Sequence, residues 1–209
     1  MDVRSPKENI LKKIRQALVN PVPLPFPESD GNQSFFHKSE EDLSILFAHQ
    51  FSSLQGKFKF ANNQQELIEQ FHQLLQHKEW KKIYCKEPKL LPLLTALDIT
   101  PFDNLADCDI SITSCKNLIA RTGSIVLSSE QAFGRTSSVY APIHICIAFT
   151  NQIVFDLQDV FSSIKSNPNS QLPSLITFAS GPSRTADIEK TLVTGVHGPK
   201  EVYCFLVEE

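Results

Sequence analysis

Arginine is scarce in this 209-residue chain, and its placement is uneven. Three of its arginines lie within three residues of a glycine and beside hydroxyl side chains. The runs are Arg121-Thr122-Gly123-Ser124, Gly134-Arg135-Thr136-Ser137-Ser138 and Gly181-Pro182-Ser183-Arg184-Thr185. That combination suits anion chemistry. Glycine lets backbone N–H groups approach a ligand, hydroxyls add short hydrogen bonds, and guanidinium offers a bidentate fork to carboxylate or phosphate. One such arginine on a polar loop is as readily a solvated side chain. Three loops of one composition in an arginine-poor chain point instead to a shared cleft.

The third loop is the most informative. LITFAS reads as a strand, GPSRT as a turn and ADIEKTLV as the following helix, so an anion would sit at a helix N-terminus. The plainer reading is a helix cap, with Ser183 or Thr185 closing the first turn and Asp187 complementing its dipole. Such loops are expected at the carboxyl ends of strands, where open α/β sheets bind ligands. His197, in Gly195-Val196-His197-Gly198-Pro199, is held at a sharp turn where it can act as acid, base or anion donor, or cap the preceding helix. Arg135, Arg184 and His197 are expected to converge. His144 projects from a strand opposite an apolar face and reads as a core histidine.

Other chemistries are absent from the pattern. There is neither a GK pair of the Walker type nor GxGxxG, so no nucleotide is specified. The five cysteines form no CxxC and no cluster run, which argues against an iron–sulfur or structural zinc site; they read as small buried hydrophobes. No metal and no cofactor is expected on this chain. Twenty Lys and Arg against 23 Asp and Glu give a net charge of -3, without a basic footprint for nucleic acid. The longest apolar run, around 143–149, is too short for a membrane helix, and MDVRSPKEN lacks a signal-peptide core. A cytoplasmic protein is expected.

The elements that must hold these loops are legible from hydrophobic spacing. SPKENILKKIRQAL predicts a helix with Ser5 as N-cap, Pro6 at its first position and an Ile10–Leu11–Ile14–Leu18 stripe. Pro21, Pro23, Pro25 and Pro27 then predict a stiff extended spacer, giving an arm at 1–27 and a body at 28–209. In the body, a helix from Ser39 to Gly56 precedes a strand at 57–60. A helix capped by Asn63 and Glu66, a strand at 81–85 and a helix interrupted at Pro92 follow. A short helix is expected at 113–120, then strands at 124–129 and 142–149. QIVFDL (152–157) is expected to fold back on the latter as an antiparallel hairpin. A helix through Val160 and Ile164, the strand SLITFA, a helix through Ile188 and Leu192, and the strand EVYCFLV complete the chain. This alternation predicts a mixed α/β sheet.

The runs IARTGSIVLSS, GRTSSVYAPIHICIAF and ASGPSRTADIEKTLVTGVHGP resemble the LUD-domain family, of the lactate utilisation protein C type. The resemblance covers about the last half of the chain, with GPSRTADIE followed by GVHGP as its strongest signature. It implies a three-layer α/β fold with helices on both faces, similar to the NagB/RpiA/CoA-transferase group. It also implies a role beside two iron–sulfur proteins in oxidising L-lactate to pyruvate. Carried over by motif, the site residues are Thr122, Gly123, Arg135, Gly181, Ser183, Arg184, Asp187, His197 and Gly198; His197 and Asp187 are the candidate catalytic residues, and in a free-standing enzyme either would supply acid–base chemistry. Arg121 stands where the family more often has an acidic residue, which would make the pocket friendlier to anions. Two other functions remain open on the sequence: a free-standing enzyme acting on a phosphate- or CoA-bearing substrate, and a non-catalytic assembly subunit.

Overall fold

A computed structural model describes residues 6–19, 41–78, 80–165, 172–186 and 192–208. The chain divides into two compact units, Met1–Lys38 and Ser39–Glu209. The first contains helix α1 (Pro6–Leu18), with Pro6 at its start, Glu8 in its first turn and Arg15 in its last, so both charges complement the helix dipole. Ser5, the proline-rich spacer and the expected junction at 27/28 lie outside the described residues.

The second unit runs α2 (Leu43–Ser53), β1 (Lys57–Ala61), α3 (Gln64–His77), β2 (Ile83–Cys85), α4 (Leu91–Ala96), β3 (Ile110–Thr113), β4 (Asn117–Ile119) and β5 (Ser124–Ser128). It continues through α5 (Ser137–Tyr140), β6 (Ile143–Phe149), β7 (Ile153–Val154), α6 (Leu157–Lys165), β8 (Ile176–Ala179), β9 (Arg184–Ala186), β10 (Leu192–Thr194) and β11 (Glu201–Val207).

Five strands form a wholly parallel sheet in the order β1-β11-β6-β3-β2. Alternation along β6 explains its central place. Ile143, Ile145 and Ile147 face one side, packing with Ile110 and Ile112 against Leu67 and Phe71 of α3 and Leu93 and Leu94 of α4. Cys146 and Ala148 face the other, meeting Phe47 and Phe51 of α2 and Leu118, Ile125 and Leu127 of a second sheet. That second sheet, β7-β4-β5-β8, is covered on its outer side by Val160 and Ile164 of α6. The body is therefore an α/β fold whose parallel sheet has helices on both faces, the second face shared with another sheet. Phe47 and Phe51 stack at 5.4 Å and are fully buried, each contributing about 2–3 kcal/mol by removal from water.

Four expectations from the sequence are corrected. α2 starts at Leu43, because the Asp42 carboxylate accepts the Ser44 and Ile45 amides at 2.8 and 3.3 Å and so supplies the cap expected from Ser39. The segment 113–120 is not a helix; it ends β3 and forms β4, with Leu118 and Ile119 paired to Ile125 and Ser124. QIVFDL makes no hairpin with β6, since β6 already has β11 and β3 on its two edges; β7 pairs in parallel with β4 instead. GPSR does not lead straight into a helix: among the described residues, Arg184–Ala186 and Leu192–Thr194 are an antiparallel pair of strands. All five cysteines are buried and free. Among the described residues, no helix is long and apolar enough to cross a membrane.

Candidate functional site

Two of the glycine–arginine loops meet at the end of α2. Gly123 has φ +58, and a Cβ there would lie 2.5 Å from the Phe51 amide nitrogen and 2.6 Å from the Gln50 carbonyl carbon. At Gly181 a Cβ would lie 2.5 Å from the Leu54 carbonyl oxygen. The close approach that demands glycine is thus to the protein's own helix, where the sequence suggested a ligand. A hydroxyl chain ties the loops together, from Thr122 Oγ1 to Ser124 Oγ (2.8 Å) and on to Ser180 Oγ (2.6 Å). Arg184 Nη2 donates to the Leu54 carbonyl at 3.2 Å, adding a third link to the same helix end.

The other two loop arginines point elsewhere. Arg121 Nη2 donates to Asp156 Oδ1 at 2.7 Å. Burial pushes the Asp156 carboxyl up, but the Arg121 bond and the Leu157 amide outweigh it and hold the group below the usual aspartate range. Asp156 also exchanges capping bonds at the start of α6 through Leu157 and Asp159, so Arg121 fastens the end of β4 to that helix. Arg135 Nη2 donates to Ser174 Oγ at 2.5 Å. Ser174 lies beside the Ser128–Ile176 end of the β5–β8 ladder, whereas Ser124 and Ser180 flank its Ile125–Ala179 end. At ~3.3 Å per residue those ends are roughly 10 Å apart. The structure does not bring Arg135 to Arg184.

His197 and Gly198 line a separate cavity of about 430 Å³ with Tyr140, Pro142, Val196 and Lys200. The GPSR loop braces this turn from behind. Ser183 N–H donates to the Pro199 carbonyl at 2.9 Å, the Gly195 N–H donates to the Ser183 carbonyl at 3.0 Å, and a Cβ on Gly198 would stand 2.9 Å from Ser183 Cβ. Ser183, Gly198 and His197 are therefore one assembly. Pro142 and Lys200 directly precede β6 and β11, so the cavity lies at the amino ends of the parallel strands, opposite to the expected rim. Thr185 pairs with Val193 in the β9–β10 ladder, and Asp187 lies outside the described residues. Tyr140 and Lys200 escaped the sequence reading; Lys200 follows the GVHGP turn directly, but only the pairing of β6 with β11 brings Tyr140 beside it.

His144 is fully buried, as read from the sequence, with Nε2 2.8 Å from Thr113 Oγ1 and Nδ1 unpartnered. Desolvation pushes its pKa down to about 4, so the imidazole is neutral at ordinary pH. It belongs to the sheet interior and not to the cavity.

Residues 73–207 match the LUD domain family, a span holding the three glycine–arginine loops, the GVHGP turn and β2, β3, β6 and β11. The chain belongs to the LUD-domain family. This LUD-domain chain is 39% identical over 103 residues to a lactate utilization protein C of Halalkalibacterium halodurans, covering 48% of this chain and 44% of that protein. It is 34% identical over 103 residues to the Bacillus subtilis lactate utilization protein C, covering 48% and 43%. The match thus spans less than half the length of either relative. The crystal structure of a DUF162-family protein from Deinococcus radiodurans shares the fold, with a TM-score of 0.58 at 18% identity over 82% of this chain and 99% of that one.

Proposed function

We propose that this LUD-domain chain serves in lactate utilisation, holding a small carboxylate beneath the GVHGP turn while two iron–sulfur proteins carry the electrons. The observation that carries the reading is one cavity with both an imidazole, His197, and a primary amine, Lys200, on its wall. An ammonium there supplies a charge-assisted hydrogen bond to a carboxylate, and a neighbouring imidazole can exchange a proton with an α-hydroxyl. The cavity volume, about 430 Å³, admits a three-carbon hydroxy acid with room for a partner's group. Kinship with the lactate utilization proteins C supports lactate as the acid in question. The hydroxyl chain through Thr122, Ser124 and Ser180, with the Arg184–Leu54 bond, keeps the loop behind the turn in place.

In this reading the chain positions the acid and handles its protons, and oxidation to pyruvate delivers two electrons to the iron–sulfur partners. Affinity purification of the tagged chain from its native cell, grown on L-lactate, should bring down two iron–sulfur proteins and L-lactate-oxidising activity. Purification of the chain alone, or turnover of L-lactate by the isolated chain, would contradict the proposal.

A further inference from the structure

A second crevice, of about 640 Å³, opens at the other end of the parallel sheet. It is set between the carboxyl ends of β2 and β3, which are neighbours through Cys85 and Ile112. The chain leaves β2 towards α4 on one face and leaves β3 towards β4 on the other. Adjacent strands whose connections diverge in this way leave a gap at their carboxyl ends, the usual ligand position in open α/β sheets. Its lining includes Glu87 after β2, Lys89, Ser114 after β3, Gln131 after β5, and Phe149 at the end of β6.

Glu87 is only 5% exposed, an unusual condition for a carboxylate. Its bonding is directional. Gln131 Oε1 accepts the Ser128 amide at 2.9 Å, which turns the Gln131 amide nitrogen towards Ser114 Oγ at 3.0 Å. Accepting that bond, the Ser114 hydroxyl directs its own O–H to Glu87 Oε1 at 2.8 Å. A three-residue relay therefore fixes Glu87 as an acceptor. One hydroxyl meets only part of a carboxyl group's hydrogen-bonding capacity, and a buried carboxyl group ordinarily has further partners. No described Lys, Arg or His lies within ion-pair distance of Glu87. Two residues on, Lys89 is exposed at the mouth. The walls are held firm, since Gln152 Oε1 accepts the Phe149 amide at 2.8 Å and its Nε2 donates to the Cys115 carbonyl at 2.8 Å.

We propose that this crevice binds a small zwitterion of the α-amino acid class, its ammonium on Glu87 and its carboxylate towards Lys89. The deep acceptor and the outer cation match the two charges of such a ligand in sign and order, and Phe149 and Leu90 supply an apolar wall for its side chain. The site is independent of the cavity at His197, which lies at the opposite end of the same parallel sheet, so a lactate response and an amino-acid response can fail separately.

The test uses the full chain and the twenty standard L-amino acids, screened by thermal shift and followed by calorimetry. At least one should raise the melting temperature, and the matching acid without its amine should not. Glu87→Gln keeps an acceptor for Ser114, so it should melt as the wild type does while losing at least about tenfold in affinity. Lys89→Ala should weaken binding by a smaller factor, and neither change should alter the response to L-lactate. A screen in which none of the twenty binds, an unchanged affinity in Glu87→Gln, or a matching amine that binds as well as its amino acid would each overturn the assignment.

Discussion

His144 shows how one buried side chain sets a pH dependence. Held neutral in the sheet, it is protonated only near pH 4, whereas in the unfolded chain it takes a proton near 6.5. Between those values the unfolded state binds a proton that the native state refuses, so stability falls as pH drops through the window. The loss accumulates to about 3 kcal/mol at its lower edge. Asp109 and Asp156, whose pKa values are lowered by hydrogen bonds from Lys81 and Lys82 and from Arg121, lose stability only below the ordinary aspartate range. Urea unfolding at successive pH values from 7 to 4.5 should therefore show a decline that flattens in His144→Gln. An equal slope in the two proteins would remove His144 as its cause. The histidine's place in the core was legible from the alternation in PIHICIAF, because strand periodicity fixes which face a side chain joins.

At the scale of elements, the seating of α2 against two loops explains why those loops contain glycine. Gly123→Ala combines a left-handed backbone with a Cβ driven into the Gln50–Phe51 backbone, a loss of about 3 kcal/mol. Gly134 supplies the comparison: its φ is +71, yet a Cβ there meets nothing within 4 Å. Gly134→Ala should cost only the backbone strain, about 1 kcal/mol, and denaturation midpoints of both variants measure the difference. Equal losses would mean that α2 does not press on Gly123. Four of the five parallel strands, β1, β2, β6 and β11, and the helices α1, α3 and α6 were readable because each carries its own hydrophobic period and, for two of the helices, its own cap. β3, β4 and the β9–β10 pair were not, and β7 was read as a strand with the wrong partner. Ile188 and Leu192 sit at helical spacing, but Thr185, Val193 and Thr194 are β-branched and their pairing across the chain prevails. β7 followed β6 in sequence and so suggested a hairpin, an inference that ignores the occupied edges of β6. Non-local pairing leaves no local trace.

Across the whole molecule, the motif residues divide into two kinds. Gly123, Gly181, Thr122 and Arg184 hold the end of α2, and Ser183 and Gly198 brace the turn that presents His197 to a cavity. The sequence singled out nearly all of these residues yet assigned them one role, because motif composition shows what is specialised and not what it touches. The sheet order sets the two proposed ligand sites at opposite ends of one parallel sheet. Of the two, the cavity beside His197 and Lys200 is the one proposed to serve lactate utilisation, and calorimetry with L-lactate and pyruvate on the intact chain addresses it directly. The wild type should bind, and Lys200→Ala should lose one to two decades of affinity, the loss expected for a charge-assisted hydrogen bond of about 1.5–3 kcal/mol, with an unchanged melting temperature in the absence of ligand. Binding of L-lactate and pyruvate that is unaffected by Lys200→Ala, or no binding of either acid to the wild type, would contradict the account.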